Sequence, residues 1–590
     1  MTDYALILDW FLAALPILAI LVLMLRFRWG GEKAGAVGWG VALAIAAFRF
    51  GAGWQVLAYA QLKGVLLSLF VLYIIWAALL FYRVTDEASA LDAIGAGLPR
   101  LTSDRGLQAL LLAWVFGAFL QGVSGFGVPV AIIAPLLMGL GFAPGAAVVI
   151  ASVGHAWSIT FGSLGSSFYA LIAATGRHGE ELAPWSAAVL GLACLGCGVG
   201  TLWAAGGRRT LRAGLAPLLL IGLAMAGGQY ILVTHGLWSL GGMAAGLLGL
   251  AVGVAYARWQ TSRQAPHTVG GMVTAGQAPH AVGGPVTTHP RNHAQAPHTV
   301  GGPVTVHPHN HAQAPHAVGG PVTAHPRNHA QAPPVVGGPV TAKPRMPLAW
   351  ALFPYALLVA IVLVAQLILP VSNFLGQVVI RIQFPDLTTA RGWVTPAEEG
   401  RTIDVFGHAG ALLIYASLVT YAVFRRQRRY TPGIERRIGR AVVQRAARSS
   451  LGIAAMVGMA VTMEHAGMTH LLADGVARIA GPAFPLVAPF IGALGAFMTG
   501  SNTNSNVVFG AFQQRVATLV GVSPIIILAA QTAGGAVGSM FAPAKVIVGC
   551  STVGLGGQEG PVLRAVMRYG LAIVAGLALA TSVVIYLHMR

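Results

Sequence analysis

Residues 117–129 read GAFLQGVSGFGVP and residues 495–506 read GAFMTGSNTNSN, and the fold turns on how these two stretches sit among their neighbours. Each opens on Gly-Ala-Phe, reaches a second glycine at Gly122 or Gly500, and then turns polar and glycine-rich inside an apolar context. A proline follows in both (Pro144, Pro524), and ten residues beyond it a glycine (Gly154, Gly534). One hexamer match could be chance; an ordered series of this kind marks two copies of one unit.

The surroundings of both copies are those of a membrane protein. Of the 590 residues, 56% are apolar and only 9% charged, against roughly 25% charged in soluble domains. Tyr4–Leu25, Val65–Tyr82, Ala216–Val233, Gly236–Ala255, Leu348–Leu369 and Leu571–Leu587 each approach the roughly 20 apolar residues a spanning helix needs. Lipid offers the backbone no hydrogen bonds, so a span is a helix or part of a closed barrel. These runs lack the period-2 alternation of barrel strands. The sequence therefore predicts an all-α polytopic membrane protein of 12–14 transmembrane helices.

Lys plus Arg number 36 against 17 Asp plus Glu. The basic residues lie mostly between apolar runs, as topology determinants do, which argues against a nucleic-acid partner. The segment from Arg425 to Arg448, read as a loop, holds nine arginines and one acid, Glu435, and is expected to be cytoplasmic. Arg26, Arg28 and Lys33 place the end of the first run on the same side, and with it an outside N-terminus. Asp3 and Asp9 precede or enter that run without a basic residue, so it is expected to remain as a helix rather than serve as a signal peptide. On this topology the first copy runs outward from the basic 83–105 segment and the second runs inward, so the repeats are expected to be inverted.

Between the halves, a Gln-Ala-Pro-His unit recurs at Gln277, Gln295 and Gln313, a period of 18 residues rich in Pro, Gly and His. It has no hydrophobic face and is expected to be a disordered linker. The resulting organisation is residues 1–257 as one membrane half, 258–346 as linker and 347–590 as the other half. Clustered linker histidines such as His307, His309 and His311 lack fixed geometry for a metal. Cys194 and Cys197 form a CxxC within an Ala/Gly/Leu run, which suits helix packing better than metal or redox chemistry. No metal and no cofactor are expected.

Chemistry is expected where the spans break. Three glycines and a proline between Gln121 and Pro129 interrupt any ordinary helix. Irregular backbone at membrane depth is tolerated only where protein or a cavity surrounds it. The candidate substrate-binding residues are therefore Gln121, Ser124, Gly125, Phe126, Gly127 and His155 in the first copy. In the second they are Ser501, Asn502, Thr503, Asn504, Ser505, Asn506, Gln531, Thr532 and Lys545. Hydroxyls, amides and freed N–H groups suit a carboxylate with an adjacent hydroxyl, and an intramembrane lysine is a functional candidate by default. Ser158, Thr160, Ser163, Ser166 and Ser167 continue the polar series after His155. Glu464 and His155 are the candidates for proton coupling, with His465 beside Glu464. Broken spans in corresponding positions of two repeats point to a secondary transporter for a small organic anion. A membrane-embedded enzyme would show haem-spaced histidines or a motif such as HExxH, and the spans contain neither.

Three segments in order, GAFLQGVSGFGVPVAI (117–132), GAFMTGSNTNSNVVFGAFQ (495–513) and CSTVGLGGQEG (550–560), resemble the bacterial L-lactate permease family over nearly the whole chain except the linker. The resemblance implies an inner-membrane, multi-pass symporter that takes up L-lactate or the related 2-hydroxymonocarboxylate glycolate with a proton. The alternative is a sodium-coupled carrier of a dicarboxylate or other organic anion. Ser501-Asn502-Thr503 is also similar to the hairpin-tip motif of the wider ion-transporter superfamily, which implies opposed re-entrant hairpins and elevator-like motion. The family pattern has acidic residues where Gln121 and Asn502 stand, an asparagine near His155 and a lysine at Ser539. A homo-oligomer is compatible with the sequence, which does not fix the oligomeric state.

Overall fold

The computed structural model describes residues 3–27, 29–97, 101–124, 127–264, 346–399, 402–556 and 558–588. The 18-residue repeats lie outside the described residues. The first half opens with α1 (Asp3–Leu25), α2 (Gly31–Phe48), α3 (Trp54–Glu87) and the short α4 (Ala90–Gly97). A broken region follows. α5 (Arg105–Ala109) passes through a π-helical stretch, Leu110–Phe116, into α6 (Gly117–Val123), and α7 (Val128–Gly139) and α8 (Pro144–His155) come next. Two 3-10 turns, Ala156–Ile159 and Ser163–Gly165, lead into α9 (Ser166–Thr175). Three longer helices, α10 (Gly179–Ala213), α11 (Leu215–Thr234) and α12 (Gly241–Gln264), complete the half.

The second half begins with α13 (Leu348–Leu367) and α14 (Leu369–Leu375). An antiparallel arm then pairs β1 (Val379–Ile380), β2 (Gln383–Phe384) and β3 (Leu387–Thr388) with β6 (Ile403–Asp404), β5 (Glu398–Glu399) and β4 (Val394–Thr395) respectively. Next come α15 (Ala409–Arg426), α16 (Ile434–His465), α17 (Met468–Ala480) and α18 (Phe484–Thr499), then α19 (Asn502–Val520), α20 (Pro524–Gly538), α21 (Pro543–Thr552) and α22 (Glu559–His588). Among the described residues, 12 helical stretches are long and apolar enough to cross a membrane. The chain is an all-α multi-pass membrane protein.

Burial sorts these spans by role. In Pro144–Thr175 the apolar window is 100% buried and in Arg105–Val123 94%, whereas in Leu6–Met24 the figure is 22%. The interrupted first-copy helices thus sit at the centre, as expected if loose backbone must be shielded from lipid. Both copies share an element order of helix, break, helix, proline-started helix, 3-10 turn, helix. In the second copy the first break is Gly500, at φ +71°, followed by Ser501, whose hydroxyl caps α19 by accepting from the Asn504 N–H at 3.4 Å. In the first copy Gly127, at φ +80°, starts α7. α18 and α20 pack backbone to backbone: a Cβ on Gly534 would fall 2.0 Å from the Pro489 carbonyl oxygen.

Two local expectations change. The basic segment 425–448 is not a loop for most of its length, because α16 starts at Ile434, just after Pro432 and Gly433. Arginine is a good helix former, so the positive charge rides on the first turns of a long helix. The arm at 379–404 has no counterpart in the sequence reading, since two-residue strands carry too little alternation to register. It is anchored by Asp9 of α1, a buried carboxylate that accepts from Arg49 at 2.5 Å and from Arg391 at 3.1 Å. The Ala390 N–H donates to the Gly51 carbonyl at 2.8 Å beside it.

Candidate functional site

The breaks of the two copies meet. Thr160, just past the first 3-10 turn, donates to the backbone carbonyl of Thr532 on α20, with the two hydroxyls 3.1 Å apart. Asn502, the first residue of α19, donates its amide to Thr160 Oγ1 at 3.1 Å and to Thr532 Oγ1 at 3.3 Å. One turn on, Asn506 donates to Thr532 Oγ1 at 2.8 Å and to the Ser167 carbonyl at 2.9 Å. Ser167 and Thr503 share a hydroxyl contact of 3.1 Å between α9 and α19. These side chains are buried, so the knot lies at the centre of the protein.

A ladder of amides extends from it. Gln531 donates to Ser505 Oγ at 3.0 Å, Ser505 donates to the Gly492 carbonyl at 2.8 Å, and Gln513 donates to Gln531 and to the Ala488 carbonyl. At the far end of α20, Lys545 donates to Ser539 Oγ at 2.5 Å, and its stem lies 3.8 Å from where a Cβ on Gly127 would sit. Thr532 and Ser539 are seven residues apart, about 10 Å along a helix. Among the described residues of this cluster, Lys545 is the one formally charged side chain.

Several groups in the cluster are buried and accept from no protein donor among the described residues. They are Gln121 Oε1, Asn502 Oδ1, Asn504 Oδ1, Asn506 Oδ1 and Gln513 Oε1. His155 belongs with them: its Nδ1 donates to the Ala151 carbonyl at 2.7 Å, and its Nε2 has no partner. Since buried polar groups are nearly always paired in folded proteins, such a concentration of acceptors calls for donors supplied by a bound molecule or by water. Gln121 itself lies against Gly162, where a Cβ would meet the Gln121 carbonyl at 2.9 Å.

The sequence-derived candidates divide accordingly. Asn502, Thr503, Ser505, Asn506, Gln531 and Thr532 come together, Gln121, His155 and Asn504 present unpaired acceptors, and Lys545 closes one end. Ser124 and Ser501 are already engaged, the first donating to the Leu120 carbonyl at 2.7 Å and the second capping α19. Gly125 and Phe126 lie outside the described residues. Glu464 sits apart, at the C-terminal end of α16, half-exposed and lining a separate cavity. Sequence reasoning missed Gln513, whose signal is an amide in the apolar body of α19, ten residues beyond Thr503.

Comparison with known proteins places this arrangement. The family model for L-lactate permease matches residues 9–277 and 343–588. The chain is 26% identical over 591 residues to the L-lactate permease of Bacillus subtilis (95% of this chain, 94% of that protein). It is 25% identical to the L-lactate permease of Escherichia coli K12 (98% and 95%) and 24% identical to the glycolate permease GlcA of the same strain (97% and 95%). With the family model matching both long segments and relatives aligned over nearly their full length, this chain is a member of the L-lactate permease family.

Proposed function

We propose that the protein takes up L-lactate, or the related glycolate, together with a proton across the bacterial inner membrane, binding it where the two broken repeats meet. The observation that carries this reading is the set of buried orphan acceptors at the broken spans, with one cation, Lys545, held at Ser539 beyond the end of α20. A carboxylate alone would leave those acceptors unpaired. A 2-hydroxy acid brings an O–H donor and a carboxylate that matches the single positive charge of Lys545, and the proton that travels with it adds a second donor at an acceptor such as His155 Nε2. A dicarboxylate would bring a second negative charge into a cluster with no second cation among the described residues, at the cost of burying it unpaired.

In this reading the carboxyl group lies against Lys545 and Ser539, and the hydroxyl donates to an amide oxygen of Asn502, Asn504 or Asn506. Gln531, Thr532 and Ser505 hold those amides in place, and His155 Nε2 and Gln121 Oε1 take the remaining protons. The relatives' names as L-lactate and glycolate permeases support the substrate class. The element order shared by the two copies supports an inverted repeat of residues 1–257 and 347–590 about the linker, with the basic start of α16 in the cytoplasm.

A thermal-shift screen of the purified protein tests the site. L-Lactate and glycolate at a hundred times their dissociation constant add about 2.7 kcal/mol to stability and raise the melting temperature. Acetate, without the hydroxyl, and succinate, with a second carboxylate, are expected to shift it much less. A larger shift with succinate contradicts the assignment.

A further inference from the structure

Above the polar knot lies a second feature. A cavity of about 310 Å³ is lined by Lys63 of α3, Glu464 of α16, Thr469 of α17 and Thr175 and His178 at the end of α9. Its floor includes Ala170 and Val507, each one helical turn beyond the Ser167–Thr503 hydroxyl contact that borders the knot. The cavity is therefore the antechamber of the site. α16 is 32 residues long, about 48 Å at helical rise, so its Glu464 end and its arginine-rich start lie on opposite sides of the membrane. The antechamber faces outward on that topology.

Lys63 and Glu464 approach to 4.0 Å across it, the lysine side chain only 13% exposed and the glutamate 44%. Their helices are clamped close by. Gln61 donates to Thr462 at 2.9 Å, Trp39 of α2 donates to Gln61 at 2.9 Å, and Gly64 packs on Gly458 with a would-be Cβ 3.3 Å from its Cα. The two charges are thus held by their backbones at the outer limit of an ion pair. Glu464 also lines a neighbouring cavity of about 250 Å³ with His470 and Arg515. There Arg515 donates to His470 Nδ1 at 2.8 Å, and His470 faces Asp474 at 3.3 Å. The ionisable groups around Glu464 are then Lys63 from α3, His178 from the turn after α9, His470 and Asp474 from α17, Arg515 from α19 and His465 on its own helix.

We propose that Lys63 and Glu464 form the coupling element of this transporter, in which the incoming carboxylate and Glu464 compete for one ammonium group. The substrate carboxylate takes the place of Glu464 on Lys63 while Glu464 takes one proton from the outside water, so the antechamber gains one negative charge and one positive charge. As the substrate leaves for the knot, the proton passes from the Glu464 carboxyl to the substrate carboxylate. The neutral acid enters the cluster of orphan acceptors, and the Lys63–Glu464 pair re-forms. Anion binding and proton uptake are linked because two anions share one cation, and the linkage is reciprocal. This inference rests on the lactate or glycolate reading above and assigns Lys63 a role in anion capture.

The test is titration calorimetry of L-lactate binding to the purified full-length protein in buffers of different ionisation enthalpy, which counts protons taken up per lactate bound. The native protein is expected to take up about one proton, with affinity falling about tenfold per pH unit on the alkaline side. Glu464→Gln is expected to bind lactate at least as tightly, with no proton uptake and a flat pH profile. Lys63→Arg keeps the linkage, whereas Lys63→Gln weakens binding about tenfold or more and abolishes it; this pair gives the answer even if the Glu464 variant does not assemble. Undiminished proton uptake in Glu464→Gln, or native affinity in Lys63→Gln, overturns the proposal while leaving the substrate reading intact. Failure of the native protein to bind either lactate or glycolate overturns both.

Discussion

Thr532 is the residue on which most of the central knot converges. Its hydroxyl accepts from Asn502 and Asn506 and sits 3.1 Å from that of Thr160. Thr532→Ala leaves two buried amide groups short of an acceptor and is expected to cost about 1–3 kcal/mol of stability, seen as a lower melting temperature with reduced uptake. Thr532→Ser restores the hydroxyl and most of the loss. At Lys545, replacement by Gln removes a charge-assisted contact worth about 1.5–3 kcal/mol, so the KM for lactate rises by about 10- to 150-fold in initial-rate uptake. An unchanged KM removes Lys545 from the site. The polar residues of 501–506 and the lone Lys545 stood out in the sequence because each is costly in lipid. Their partner Gln513 did not, since a single glutamine in a helix is ordinary until its neighbour across the fold is known.

At the scale of elements, glycines do two different jobs, and substitution separates them. Gly500 turns the chain between α18 and α19 at φ +71° with open space around it. Gly500→Ala therefore costs only left-handed backbone strain, about 1–2 kcal/mol. Gly534→Ala drives a methyl group into the Pro489 carbonyl, forcing α18 and α20 apart. It is expected to reach or exceed the upper end of the about 1–3 kcal/mol typical of overpacking. Melting temperatures of the two variants check the order, and a greater loss for Gly500→Ala contradicts it. The breaks themselves were legible in the glycines and prolines of 117–129 and 495–506. The π-helical stretch at 110–116 and the 3-10 turn at 156–159 were not, because they pass through ordinary apolar or mixed sequence and are set by packing against neighbouring helices. The Arg-rich start of α16 misread as a loop for the opposite reason: charge marked it as outside the bilayer, and being outside does not preclude a helix.

For the whole molecule, length, composition and the spacing of apolar runs were enough to give a multi-pass helical membrane protein. The antechamber was beyond reach of the sequence, since Lys63 and Glu464 lie about 400 positions apart and only the packing of α3 on α16 brings them together. Replacing residues 266–344 by a short Gly/Ser linker is expected to leave uptake per assembled protein within about twofold of native, because the repeat composition provides no face with which to pack against the spans. Loss of uptake at normal expression would give that segment an active role. The central claim, that an anion and a proton cross together, is tested most directly in proteoliposomes loaded at one pH and diluted into another. One proton with one monovalent anion moves no net charge. Each pH unit then supplies about 1.4 kcal/mol, and L-lactate should accumulate inside an alkaline lumen up to about tenfold per unit while ignoring a potassium-diffusion potential. Accumulation driven by a sodium gradient and indifferent to pH would contradict the account.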